Sequence, residues 1–243
     1  MKISLIQMKL NDDLDYNLEK HKHYINTLKS SRLIIFPEYS LTGNAYHVLE
    51  QYKNSDKYRL LESKTESLSR LAARYDTNII IGTVLCQNDR LYNAGCLIRS
   101  TKKISYYKKR YLTAEELRIF NRGDEPFVFR IGGKKFGLLI CRDQSHVCLF
   151  DELQTRKVDY VIIQSAHYYI PDETLWRRYK NIAIPIVRAM DFRVTIVKVN
   201  AVGLLKNKIL SHGNTLCVDA NGRLRHILDE YNEDILTFDT ESG

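Results

Sequence analysis

Apolar residues in this chain fall into two kinds of block that alternate along its length. One kind is a short continuous run, as in Arg32-Leu33-Ile34-Ile35-Phe36, Asn78-Ile79-Ile80-Ile81-Gly82-Thr83-Val84 and Val158-Asp159-Tyr160-Val161-Ile162-Ile163-Gln164. Such runs are too short for core helices and are rich in β-branched residues, which predicts buried strands. The other kind repeats at helical spacing. A helix capped by Asp12 or Asp13 passes through Tyr16 and Leu18 to about Leu28, and a second, from about Lys57 to Tyr75, keeps Leu61, Leu68, Leu71 and Ala72 on one face.

The same reading predicts strands at Ile3 to Met8, Leu91 to Arg99, Ile104 to Tyr107, Pro126 to Ile131, Lys135 to Cys141 and Arg193 to Asn200. Turns at Gln87-Asn88-Asp89-Arg90 and Thr101-Lys102-Lys103 join the second and third of these to their neighbours. Helices are predicted to end near Arg156 and to run from Glu173 to Asp191, the latter packing Trp176. His212 to Val218, the Asn221-Gly222 turn, Arg223 to Leu228 and Asp234 to Phe238 read as a terminal antiparallel set. Helical crossovers between buried strands, mixed with hairpins, imply an α/β layered sandwich with mixed β-sheets. With 243 residues, 44% of them hydrophobic, and no proline- or glycine-rich linker, the chain reads as a single domain over 1–243.

Composition narrows the function classes. Met1-Lys2-Ile3-Ser4-Leu5-Ile6-Gln7 turns polar too soon for a signal peptide, and no apolar run reaches membrane-spanning length. Cys86, Cys96, Cys141, Cys148 and Cys217 are odd in number and contain no C-x-x-C pair, which points to reduced thiols in a cytoplasmic protein rather than disulfides or zinc. All but Cys141 read as buried bystanders. Lys+Arg 37 against Asp+Glu 29 gives a net +8, but the basic residues are scattered in small knots, so a solvated surface is favoured over nucleic-acid binding. Lys20-His21-Lys22-His23 reads likewise as a solvated helix face and not a metal site.

Candidate chemistry lies at strand ends. Cys141 closes the run Lys135-Phe136-Gly137-Leu138-Leu139-Ile140, where a buried strand fixes a thiol and charged residues beyond it suggest a cleft. Phe36-Pro37-Glu38 sets a carboxylate directly after a strand, and Lys108-Lys109-Arg110 follows another. A glutamate, a lysine and a cysteine at such ends suit acyl transfer through a thioester: the carboxylate moves protons and the lysine holds developing negative charge. Ala166-His167-Tyr168-Tyr169 follows a further strand and suggests substrate contact.

Several blocks, in order, resemble the nitrilase superfamily of carbon–nitrogen hydrolases. They are Phe36-Pro37-Glu38-Tyr39-Ser40-Leu41-Thr42-Gly43, Tyr107-Lys108-Lys109-Arg110-Tyr111-Leu112, Glu116 with Phe120 and Gly123, Gly137 to Asp143, and Asp159 to Ala166. Arg188-Ala189-Met190-Asp191, Asn200-Ala201-Val202-Gly203 and His212-Gly213-Asn214-Thr215 resemble later blocks, although the proline-glutamate pair common after the family's cysteine is missing. The resemblance implies a four-layer αββα sandwich that usually dimerises, no cofactor or metal, and a small-molecule amide or N-carbamoyl substrate. It implies Cys141 as nucleophile, Glu38 as proton shuttle, Lys109 as oxyanion donor together with the backbone N–H of Arg142, and Glu116 as the group that orients the lysine. The spacing of the lysine block selects Lys109 over Lys108. His167, Tyr168 and Tyr39 are expected to touch substrate, and the Arg142 side chain could receive a substrate carboxylate. Two alternatives remain open: an acyltransferase using the same thioester, and a silent interaction protein retaining the fold.

Overall fold

The computed structural model describes residues 1–169, 174–205 and 209–240. Its strands are β1 (Lys2–Gln7), β2 (Leu33–Ile35), β3 (Asn78–Gln87), β4 (Arg90–Ile98), β5 (Ile104–Lys108), β6 (Phe127–Ile131), β7 (Lys134–Ile140) and β8 (Tyr160–Ser165). After these come β9 (Tyr168–Tyr169), β10 (Thr195–Asn200), β11 (Gly203–Leu205), β12 (Ile209–Ser211), β13 (Leu216–Val218), β14 (Leu224–Ile227) and β15 (Asp234–Asp239). The helices are α1 (Leu14–Thr27), α2 (Tyr46–Leu49), α3 (Ser55–Arg74), α4 (Val147–Thr155) and α5 (Thr174–Phe192).

One six-stranded sheet has the order β15-β1-β2-β3-β4-β5, and the other β14-β13-β10-β8-β7-β6. Each is parallel at its centre, β1-β2-β3 and β7-β8-β10, and antiparallel at its edges. Parallel neighbours need crossovers, which α1 and α3 supply for the first sheet and α4 and α5 for the second. The strand period of two then sorts the apolar residues into layers. Leu33, Ile35 and Ile80 face the second sheet and share a core with Leu138, Ile162 and Val197. Ile34, Ile79 and Ile81 face outward onto Leu18 and Ile25 of α1 and Leu61 and Leu68 of α3. Leu149 and Leu153 of α4 and Ala189 of α5 cover the far face of the second sheet. The result is the predicted αββα sandwich with mixed sheets.

Several expectations need correction. His212 to Thr215 is not strand, because Gly213 and Asn214 take positive φ; only Leu216–Val218 pairs with β10. The terminal set does not stay together, since β14 pairs with β13 while β15 crosses to the other sheet and pairs with β1, Ile235 opposite Ile6. The polar stretch after Glu38 holds α2, and a small sheet of β11-β12-β9 lies beside the main two. His21 is buried, with Nδ1 on the Asn17 carbonyl and Nε2 on Ser40, rather than on a solvated face. Trp176 is 54% exposed, Cys148 is exposed and Cys86 is half-buried, so none of the three is the buried packing group expected. Among the described residues no helix is long and apolar enough to cross a membrane.

Candidate active site

The carboxyl ends of three central parallel strands, β2, β7 and β8, meet with the end of β5 at one rim of the sandwich. Such ends are where open α/β sheets present groups to a ligand. Pro37 stops β2 and Glu38 follows it into the interior, 2% exposed. The chain there presses on β3: a methyl at Gly82 would collide with the Pro37 carbonyl and the Tyr39 amide. Glycine is therefore required at the point where the glutamate loop crosses the strand. Gly123 plays the same part against the Lys108 backbone and holds the segment carrying Glu116 onto the lysine.

Lys109 is 1% exposed, and its Nζ donates to Glu38 Oε1 at 2.8 Å and to Glu116 Oε1 at 2.7 Å. Three buried charges of mixed sign are tolerable only with dense hydrogen bonding. Asn93 of β4 provides much of it, its amide reaching Glu38 Oε1 and Glu116 Oε1, each at 2.8 Å, and the Tyr39 hydroxyl at 2.7 Å. The Tyr39 hydroxyl donates to Glu116 Oε1 at 2.8 Å, the Thr113 amide to Glu116 Oε2 at 2.9 Å and the Ala166 amide to Glu38 Oε2 at 2.9 Å.

The electrostatics follow from these partners. Burial, and then the neighbouring Glu116, push the Glu38 carboxyl above its usual range despite Lys109. Burial also acts on Glu116, but Lys109 and the Thr113 and Tyr39 donors outweigh it and hold that carboxyl low. Lys109 resists desolvation because Glu38, Cys141 and Glu116 together keep its ammonium charged well above the usual lysine range.

Cys141 follows β7 and opens the 3₁₀ turn Cys141–Ser145 with φ of 48°. A positive φ at a non-glycine residue is a strained conformation, and it turns the thiol off the strand axis toward the cluster. The turn is pinned from below by Asp143, whose carboxylate accepts from Tyr107 Oη at 2.7 Å, the Tyr111 amide at 2.8 Å and the Ile140 amide at 3.0 Å. Burial raises the Asp143 carboxyl to about 6. The Cys141 residue is half-buried; burial, and then the nearby Glu38 carboxylate, raise its thiol, with Lys109 opposing. Its Sγ also stands 3.7 Å from His167 Nδ1.

The structure therefore gathers Glu38, Lys109, Glu116 and Cys141, which lie far apart in sequence, into one cluster. Tyr39 is buried behind the carboxylates, His167 lines the cavity beside Cys141, and Tyr168 is half-buried outside that lining. Sequence reasoning passed over Asn93, and the signal available was an amide inside the otherwise apolar run Leu91 to Ile98. It also left Asp143, Gln144 and Lys180 without roles. Among the described residues no group of three or more histidine, cysteine, aspartate or glutamate side chains is arranged to hold a metal ion.

Residues 2–242 match the family described as carbon-nitrogen hydrolase, and the chain belongs to that family. The (R)-stereoselective amidase of Pseudomonas sp is 26% identical over 233 residues, which cover 92% of this chain and 79% of the amidase. The glutamine-dependent NAD(+) synthetase of Aquifex aeolicus is 24% identical over 238 residues, which cover 95% of this chain but only 40% of the synthetase. Among solved structures, the glutamine-dependent NAD+ synthetase of Acinetobacter baumannii superimposes with a TM-score of 0.86 at 24% identity, covering 99% of this chain and 46% of that one. An amidase from Nesterenkonia sp. gives 0.82 at 19% identity, covering 98% and 89%. At these identities the structural likeness establishes the fold.

Proposed function

We propose that the protein hydrolyses a small linear amide or N-carbamoyl amine through a thioester on Cys141. The observation that carries this reading is the cluster in which Glu38, bridged by Lys109 to Glu116, bears electrostatically on the Cys141 thiol. In the first half-reaction Sγ attacks the amide carbon and its proton passes to Glu38. The Lys109 ammonium and the Arg142 backbone N–H, which at the start of a turn has no intrahelical acceptor, receive the developing oxyanion. Glu38 then returns the proton to the departing nitrogen, the carbon–nitrogen bond breaks and ammonia or an amine leaves. In the second half-reaction Glu38 takes a proton from water and the hydroxide adds to the thioester; the carbon–sulfur bond then breaks, the acid leaves, and Glu38 returns the proton to Sγ to restore the thiol.

His167 is the competing base, being in contact with Sγ. Burial and the cations Lys198, Lys109, Arg177 and Lys180 all disfavour its protonated form. A group held that far below neutrality is a poor proton acceptor, whereas Glu38 is raised toward the working range. The proposal therefore assigns the proton to Glu38. An amidase among the relatives supports the amide as substrate, and a mutant of the Nesterenkonia amidase showing covalent addition of the acetamide moiety of fluoroacetamide at its active site cysteine supports the role of the thiol. A cofactor-free homodimer belongs to the same proposal. Ammonia release from a panel of amides tests it: activity in the native protein and its loss in Cys141→Ala are expected, and equal activity in the variant contradicts it.

A further inference from the structure

The turn that carries Glu38 leaves the ladder of its sheet early, and side chains take over the bonds the ladder gives up. Ile35 is the last residue of β2 in register, opposite Ile80, and Pro37 has no N–H to offer. The Gly82 N–H, next along β3, is taken by the Ser40 hydroxyl at 3.0 Å, and the Gly82 carbonyl by the Leu41 amide at 2.9 Å. The Phe36 carbonyl accepts from Gln164 Nε2 of β8, across the sandwich, at 2.7 Å. From the outer layer α1 presents Asn17 and His21, one helical turn apart and both 0% exposed. The Asn17 amide donates to the Leu41 carbonyl at 3.0 Å, and His21 Nε2 stands 3.0 Å from Ser40 Oγ.

The acceptors fix where the protons of this chain lie. His21 Nδ1 is 2.7 Å from the Asn17 carbonyl, which can only accept, so Nδ1 carries the hydrogen. In the neutral ring Nε2 is then the acceptor, and the Ser40 hydroxyl donates to it while receiving the Gly82 N–H. A charged ring would offer Nε2–H to an oxygen that already accepts from Gly82, and would leave the hydroxyl proton only the Gly82 carbonyl, 3.5 Å away. Burial keeps the imidazole uncharged, lowering it to about 4 against the pull of the Asn17 carbonyl. Neither His21 nor Ser40 lines the cavity beside Cys141.

Resting on the hydrolase reading above, we propose that His21 is a positioning residue for Glu38: through the Ser40 hydroxyl it fixes the turn 37–40, so that the carboxylate meets Lys109 beside the thiol. Tyr39 in that turn has φ of 58°, a conformation that a non-glycine residue keeps only where its surroundings impose it. A slip of the turn moves the proton shuttle together with the Tyr39 hydroxyl that donates to Glu116.

Two measurements test it. His21→Phe keeps a ring and loses the acceptor, and it is expected to lower kcat for ammonia release by about tenfold or more. KM is expected to stay within about twofold, because the cavity lining is untouched. Ser40→Ala should behave alike, and His21→Gln, which returns an acceptor to the hydroxyl, should recover most of the loss. A native kcat in His21→Phe, a fall carried by KM instead, or a loss in His21→Gln as large as in His21→Phe overturns the inference. The second measurement uses the unmodified protein and needs no turnover: nitrogen-15 NMR of the histidine rings at pH 6, with the His21 signals identified by their absence from His21→Gln. An uncharged ring with its hydrogen on Nδ1 is expected, and a charged ring or a hydrogen on Nε2 overturns the inference. The expected ring state in a native protein that releases ammonia from no amide overturns the hydrolase reading instead, and leaves the hold of His21 on the turn standing.

Discussion

Lys109 and Lys198 are buried to the same extent, each 1% exposed, yet the protein treats them in opposite ways. Lys109 stands at the end of β5 between two carboxylates, and their pull outweighs desolvation, so its ammonium persists far above the usual lysine range. Lys198 stands in the middle of β10 with one backbone carbonyl, and desolvation prevails, bringing it to about 7. Burial alone decides neither charge; the partners do. The difference separates a cation fixed by two carboxylates from one that burial brings close to neutrality.

The largest effect is expected from removing the first of them. Lys109→Met leaves Glu38 and Glu116 buried without their cation, which costs about 3–5 kcal/mol of stability. On the proposed mechanism, loss of its oxyanion contact is expected to lower kcat by about 10²-fold or more. Urea unfolding and ammonia release check both, and a variant with native stability would break the comparison at its stronger end.

Lys198→Met has the opposite sign. In the folded protein this amine gives up its proton near 7, against 10.5 in the unfolded chain, so the unfolded state binds more protons between those limits. Stability therefore rises as pH increases through this window and is penalised in full below it. The substitution is expected to stabilise by a few kcal/mol at about pH 6, with the gain vanishing toward pH 10.5. Cys141 and His167 are the titrating groups near it, so the pH series is read against the same series in Cys141→Ala and His167→Gln backgrounds. Destabilisation of Lys198→Met at pH 6 would contradict the assignment.

Tyr39→Phe sharpens the comparison on the carboxylate side and has the smallest effect. It removes one donor to Glu116 and one acceptor for Asn93. The expected cost is about 1–2 kcal/mol in urea unfolding, with kcat reduced by about tenfold or less. An unchanged midpoint would show that the hydroxyl does not help hold Glu116.

Much of the sandwich was legible because strand and helix periods are local properties. The runs around Ile34, Ile80 and Ile162 could be placed from their own residues, and so could the Asp13-capped helix, whose cap accepts from the Asp15 and Tyr16 amides. What could not be read depends on contacts distant in the chain. The pairing of β15 with β1 joins opposite ends of the sequence, and nothing in Asp234 to Phe238 says which sheet it enters. Asn93 reaches Glu38 across 55 positions, so its role has no local signature beyond an amide in an apolar strand. Glu38, Lys109 and Cys141 were suggested by strand ends and by family-like blocks, but that they meet is a result of topology. Lys198 did carry a signal, a charge between Val197 and Val199, which gains meaning only once its Nζ is seen to reach the Asn181 carbonyl of α5.

The most direct test of the thioester claim is mass spectrometry of protein quenched in acid during turnover of an amide from the panel that releases ammonia. The account predicts an adduct on the peptide containing Cys141, equal to the substrate less ammonia, which is absent from Cys148 and disappears when substrate is exhausted. Sustained ammonia release by Cys141→Ala at the native rate would contradict it.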